Sequence, residues 1–210
     1  MIFKKGSVMA KYGMVIDLKR CIGCDTCTVA CRAEHATSKG VLFNRVFKFE
    51  VGKYPHSKLG FLPVTCMHCG KPECEKQCPT GATKRREDGI VAVDTDKCMG
   101  CQYCVVTCPY GTRYFLEEIK EYVKGHETPY EKKGRKKHRR GAVEKCDFCL
   151  KRVEKGMQPA CVTSCIASAR YFGDLDDPNS EVSKLVALRR GYTLNPELGT
   201  EPSVYYLPDY

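Results

Sequence analysis

Tryptophan is absent from this 210-residue chain, and no uncharged apolar run approaches the roughly 18 residues that a bilayer-spanning helix needs. No direct membrane span is therefore expected. Hydrophobic residues make up 42%, but that fraction includes 16 cysteines, so the ordinary apolar core is modest. Neither standard Gly-rich phosphate loop occurs, nor a nucleophile elbow, which sets aside nucleotide-driven and serine-hydrolase chemistry. The segment Met1–Ser7 has basic residues but no apolar h-region and no small-residue cleavage site, so no secretory signal is expected there, and Met9 is an alternative start. The length suits one large domain or two small ones.

Acidic residues are also in short supply: 25 against 35 Lys and Arg, a formal charge of +10. Such a balance suits nucleic acid, anionic lipid or an acidic protein face. The densest run, Lys132–Arg140, has no aromatic platforms among its basic residues, which argues against nucleic acid. A solvated loop and a docking patch for an acidic protein face or lipid headgroups both remain open for it.

What the chain has in abundance is cysteine, arranged in four quartets. Cys98, Cys101, Cys104, Cys108 and Pro109 spell C-x2-C-x2-C-x3-C-P, the iron–sulfur run of bacterial ferredoxins. Cys21, Cys24, Cys27 and Cys31 repeat the spacing without the proline. Cys66, Cys69, Cys74, Cys78 and Pro79 lengthen the middle step, and Cys146, Cys149, Cys161 and Cys165 stretch it further but keep the x3 close. No thiol is left over. A disulfide framework does not explain the repeated x2 steps, and zinc sites use two C-x2-C pairs with no need of a third cysteine at the next step. Full sets of four thiolates also argue against a cluster with a labile iron, and the C-x3-C-x2-C spacing of radical enzymes is missing. Metal ligation would replace part of the missing core, so the apo chain is expected to fold poorly.

Spacing also suggests how the quartets cooperate. Three thiolates on a tight loop can meet one cubane, with Gly100 easing the backbone's approach. A fourth, one helical turn on, is carried about 5.4 Å along the axis and needs a second cluster. The second and third quartets lie close in sequence and both end in Cys-Pro, so they pair as an inner module over residues 57–116. The first and fourth lack the proline and pair as an outer module from 11–56 with 141–175. The expected ligand sets are Cys66, Cys69, Cys74 with Cys108; Cys98, Cys101, Cys104 with Cys78; Cys21, Cys24, Cys27 with Cys165; and Cys146, Cys149, Cys161 with Cys31.

Short strands are expected at Met14–Asp17 and Val91–Asp94, with returns at Gly81–Thr83, Gly111–Phe115 and Ala169–Phe172, and a hairpin turn at Glu87–Ile90. The fold class is thus α+β: two ferredoxin-like two-cluster modules, with insertions and an extended C-terminal arm. Phe43, Phe47, Phe49 and Tyr54, at mostly alternating spacing, suit a strand with one buried face, with a partner groove as the alternative. Residues 117–140 form a basic insertion. Asp177-Pro178 reads as a helix start, with Val182, Leu185, Val186 and Leu188 on one side and Arg189-Arg190-Gly191 as the stop. Beyond it the arm carries Tyr205, Tyr206 and Tyr210 as anchors, for a partner or for its own domain. His68 is expected to be exposed in its loop, with a hydrogen bond to a cluster sulfur as the alternative.

The four quartets in this order, with Tyr12–Asp17 ahead of them, Cys146-Asp147-Phe148-Cys149 within the fourth and Phe172–Pro178 after it, resemble the four-cluster electron-transfer subunit of the molybdopterin oxidoreductases, the dimethyl sulfoxide reductase superfamily. Size and tail look most like the polysulfide, thiosulfate, tetrathionate and arsenate reductase branch. The resemblance implies four 4Fe-4S clusters, no catalytic residues of its own, and a molybdopterin-containing catalytic subunit as partner. It implies electrons passed between that subunit and a membrane quinone-linked anchor or a soluble carrier. A free-standing polyferredoxin shuttle is the alternative. The location implied is peripheral to the inner membrane, exported with the catalytic partner; the cytoplasmic face is the alternative.

Overall fold

A computed structural model describes residues 10–209, so Met1–Ser7, the alternative start at Met9 and the Tyr210 anchor lie outside the described residues. Each cysteine loop is followed by a helix or a single helical turn. The first unit has β1 (Tyr12–Asp17) and α1 (Thr26–His35). A ribbon of β2 (Asn44–Val51) and β3 (Lys58–Thr65) leads to the second loop, α2 (Glu73–Lys76) and β4 (Thr83–Arg85). The third unit is β5 (Val91–Val93), α3 (Tyr103–Val106) and β6 (Arg113–Phe115). The insertion carries α4 (Pro129–Arg135), and the fourth unit runs β7 (Val143–Lys145), α5 (Leu150–Val153), α6 (Ala160–Thr163) and β8 (Arg170–Asp174). The tail adds α7 (Glu181–Leu188) and β9 (Val204–Leu207).

Strand pairing ties distant parts of the chain together. β1 lies between β8, antiparallel with Ile16 opposite Arg170, and β9, parallel with Met14 opposite Val204. Paired on both edges, β1 reads as a nearly continuous apolar run. It ends at Asp17, whose Oδ1 accepts the amides of Lys19 and Arg20 and so turns the chain toward Cys21. β4 pairs with β5 through the Asp88-Gly89 turn, and β6 with β7, so the third and fourth units share a ladder. One apolar cluster, including Met14, Phe43, Met67, Phe148 and Tyr206, runs through the whole body.

Three expectations need correction, and an alternative left open for the arm is decided. Phe43 is buried, but Phe47, Phe49 and Tyr54 are exposed, because only the base of the two-stranded β2–β3 ribbon packs on α1 and the core while its far end stands in solvent. The Phe49 ring covers Gly60, and the Arg45 guanidinium stacks on Phe47. The start of α7 is capped by Ser180, whose hydroxyl accepts the Ser183 amide; Asp177 instead makes a tight turn with Asn179. His68 is fully buried. The C-terminal arm lies on its own domain: β9 completes the central sheet, and the buried Tyr206 hydroxyl donates to the Pro63 carbonyl at 2.8 Å.

The basic run is neither wholly loop nor wholly patch. Pro129 at the first turn and the Thr128–Glu131 capping box start α4 inside it. Gly134 sits where a Cβ would collide with Ala36, so α4 packs directly on the end of α1. Arg135 pairs with Glu127 and Glu131, and Arg139 donates to backbone carbonyls of Asp96 and Cys98 at 3.0 and 3.2 Å. His138 bridges Glu144 through Nδ1 at 2.7 Å and the His35 carbonyl through Nε2 at 2.8 Å. Lys132, Lys133, Lys136 and Lys137 face solvent.

Leu207 is fully buried in β9, so Leu207→Ala costs about 2–5 kcal/mol, read as a lower midpoint of anaerobic thermal unfolding. The exposed Leu188→Ala stays within about 0.5 kcal/mol. Burial acts to lower the His138 pKa, but the Glu144 carboxylate and the His35 carbonyl outweigh it and hold the pKa above 6.5. Only the imidazolium can donate to both partners. This anchorage is complete below the unfolded pKa of about 6.5 and lost as pH rises through the folded value. Amide exchange of Lys132–Arg139 should therefore quicken across that range beyond its intrinsic pH dependence, and His138→Gln should remove the excess.

Candidate metal centres

The loops share a backbone plan. The residue two places after the first cysteine adopts positive φ in all four: Gly23 at 65°, His68 at 42°, Gly100 at 77° and Phe148 at 54°. Gly100 is also required for space, since a Cβ there would lie 2.4 Å from the Gly141 carbonyl oxygen. The helical turn after each loop then carries the last cysteine of the quartet away from the first three.

Three voids result, each walled by thiols from two quartets. Cys66, Cys69 and Cys74 line one with Cys108, of about 380 Å³ including its mouth. Cys21, Cys24 and Cys27 line a second with Cys165, of about 350 Å³. Cys98, Cys101 and Cys104 line a third with Cys78, of about 310 Å³. The remaining four thiols, Cys31, Cys146, Cys149 and Cys161, are all buried, and the charges of the last three act directly on Cys31. Cys27 and Cys161 are close enough to influence one another, as are Cys66 and Cys146. Of the sixteen, only Cys24 and Cys101 are exposed.

This donor set fits an iron–sulfur cubane. Among the described residues no three Cys, His, Asp or Glu side chains converge on a single-ion site; the thiols surround a volume instead. Burial, with mutual repulsion, pushes the Cys69 thiol up to about 12 and the Cys149 thiol up to about 12, and raises Cys31 and Cys146 strongly. Thiols so crowded ionise only against a compensating cation, which iron supplies. Backbone amides point at several sulfurs: Thr83 at Cys78, Val143 at Cys98 and Phe148 at Cys146, each at 3.4 Å, and Ala169 at Cys165 at 3.3 Å. Such donors favour the thiolate and raise cluster potentials.

Spacing alone did not reveal several neighbours of these thiols. His35 Nε2 lies 3.4 Å from Cys149 Sγ. His68 stacks on Phe148 with centroids 3.6 Å apart, and its Nδ1 accepts the Val91 amide. Burial, then the nearby Lys145 and Arg113 charges, hold the His68 pKa well below 6.5, so the ring is neutral. Arg113 and Arg170 are buried beside the thiols. The only sequence signal for these two was their shared place at the head of a return strand.

The profile of the 4Fe-4S dicluster domain matches residues 57–126 and again 116–175, and a second profile of the same description matches 20–82. One of the subunits of selenate reductase from Mesobacillus selenatarsenatis is 48% identical over 92% of this chain and 70% of its own length. A tetrathionate reductase subunit from Salmonella typhimurium is 40% identical over 97% of this chain and 74% of its own. The arsenate respiratory reductase iron-sulfur subunit of a Shewanella species is 35% identical over 95% and 97%. Two dicluster domains carry four 4Fe-4S clusters, whose chemistry is single-electron transfer. With these matches across nearly its whole length, the chain belongs to the iron–sulfur electron-transfer subunits of the dimethyl sulfoxide reductase superfamily.

Proposed function

We propose that this protein serves a molybdopterin-containing catalytic chain, passing electrons between it and a membrane quinone-linked anchor or a soluble carrier. The sixteen cysteines hold its clusters as Cys21, Cys24, Cys27 with Cys165; Cys31 with Cys146, Cys149, Cys161; Cys66, Cys69, Cys74 with Cys108; and Cys78 with Cys98, Cys101, Cys104. One observation carries the reading: three voids of similar volume are each lined by three thiols of one quartet and the last thiol of another. The two-module division, 57–116 and 11–56 with 141–175, follows from that exchange.

Neighbour relations order the four groups. The Cys21 group adjoins the Cys161 group through Cys27, that group adjoins the Cys66 group through Cys146, and the Cys66 group shares the Arg113 wall with the Cys98 group. The two exposed cysteines, Cys24 and Cys101, fall in the first and last groups of this succession. Exposed apolar side chains lie near the cysteines of each group in sequence, Ile22, Val29 and Ile166 at one and Met99, Tyr103 and Val106 at the other. These faces are where the partners dock, and the group with Cys31, Cys146, Cys149 and Cys161, all four thiols buried, lies between them. Among the described residues no helix is long and apolar enough to cross a membrane. The assembly would lie peripheral to the inner membrane, exported with its catalytic partner, among reductases of sulfur, selenium or arsenic oxyanions.

Iron and sulfide analysis should give about 16 irons per chain, four per cluster. Stoichiometric zinc with no reducible paramagnetic signal would end this reading. Gentle extraction should bring out a larger molybdopterin-containing chain with this one; an isolated monomer would indicate a free shuttle. Cys31→Ser should damage the cluster of Cys146, Cys149 and Cys161, and selective loss of the Cys21 signal would refute the grouping.

A further inference from the structure

Three cations, Arg113, Lys145 and Arg170, are buried close to the thiols, and among the described residues none has a carboxylate partner. Lys145 is satisfied by the carbonyls of Val91 and Cys146. The two arginines are not satisfied in that way. Arg113 is 4% exposed; its Nη2 donates to Thr83 Oγ1 at 2.6 Å, while Nε and Nη1, sealed from solvent, have no oxygen or nitrogen acceptor and lie among sulfurs. Its side chain belongs to the wall of two voids at once, that of Cys66, Cys69, Cys74 and Cys108 and that of Cys78, Cys98, Cys101 and Cys104. The thiols that feel its charge most are Cys74 and Cys104, one from each.

Arg170 holds a similar place in the other half. It too is 4% exposed, with Nη2 donating to Asn44 Oδ1 at 3.0 Å and Nη1 against Met14 Sδ at 3.5 Å. It lines the void of Cys21, Cys24, Cys27 and Cys165, and the thiols that feel its charge most are Cys161 and Cys27, again one from each of two groups. Both arginines open a return strand five residues after the last cysteine of a quartet, Cys108 before Arg113 and Cys165 before Arg170. In the second unit that position is Thr83, the hydroxyl partner of Arg113.

A guanidinium buried without a counter-charge is strongly destabilising. A cubane held by four thiolates is anionic, and its sulfurs accept hydrogen bonds. We propose that Arg113 and Arg170 are fixed counter-charges, each shared by the two clusters of one module, and that each raises the reduction potentials of its pair together. Reduction adds negative charge, so a nearby fixed cation favours the reduced form. The arginines act through the clusters they flank and are positioning residues. Because they stand between clusters, one substitution moves two potentials.

The proposal rests on the cysteine grouping above, and the two fail separately. Iron content and the Cys31→Ser signal test the grouping; potentials test the arginines. In the full chain within its complex, potentiometric titration followed by EPR should show Arg113→Gln lowering two of the four midpoints, those of the clusters with Cys74 and Cys104. Each should change by about tenfold in its reduction equilibrium, ~59 mV for a one-electron couple. Arg170→Gln should lower the other two, and Arg→Lys at either site should keep most of the potential. Unchanged midpoints at full iron content would overturn the proposal, as would an equal shift of all four. Should a glutamine variant lose iron, retention of iron in the matching lysine variant supports the role of charge, and equal loss in both refutes it.

Discussion

The structure depends on one short-range constraint: the last thiol of each quartet lies one helical turn beyond the loop that carries the first three. A loop can wrap a volume, but the turn that follows carries its final sulfur past that volume and into the next. No unit can then close its own site. Strand pairing repeats the logic, since β1 of the first unit is flanked by β8 of the fourth and by β9 of the tail. Folding locally and completing the sites are thus the same long-range event, in which thiols from opposite ends of the chain, Cys21 and Cys165, meet at one void.

The centre and the ends of the molecule solve the loop problem differently. At the two exposed groups the positive-φ position is glycine, which lets backbone or a neighbouring ring close in on the loop. At the two inner groups it is His68 and Phe148, strained for side-chain-bearing residues but stacked face to face. That stack joins the two loops where the halves meet, beside Cys66 and Cys146. The rings fill the space between the two loops, and the neutral, buried His68 has no partner for its Nε2 among the described residues. Two glycines in the outer loops admit compact packing near solvent; two aromatic side chains in the inner loops fill the interface.

What the sequence made legible was local. Cysteine spacing, the aspartates before Cys21 and Cys98, the Asp-Gly hairpin and the return strands all act over a few residues. The Thr128–Glu131 box and Pro129 were equally local signals for α4, but the surrounding charge run masked them. Other features required the tertiary structure. Alternation at Phe47 and Phe49 implied a buried face, but the part of the ribbon that carries them extends beyond the elements packed on its base. Val204–Leu207, four residues between prolines, carried no period long enough to mark a strand; its burial comes from parallel pairing with β1, nearly the whole chain away. Arg113 and Arg170 resembled ordinary strand-edge cations, because nothing within several residues of either shows that it faces thiols from two quartets.

Burial without partners links the fold to its cofactor. Buried thiols such as Cys31, Cys69 and Cys149 resist ionisation where they stand, and the arginines retain a charge that no carboxylate among the described residues balances. Taken alone, each would weaken the protein: crowded thiolates repel, and an unpaired guanidinium loses its hydration. The two costs have opposite sign and the same location, and iron bound by the thiolates turns them into attraction, since the resulting anionic body faces the arginine. The chain lacks tryptophan and keeps only a modest apolar core, yet its described residues hold an ordered set of helices and short strands. The metal-filled volumes therefore act as core, and the charge arrangement that stabilises them is the same one that favours accepting an electron.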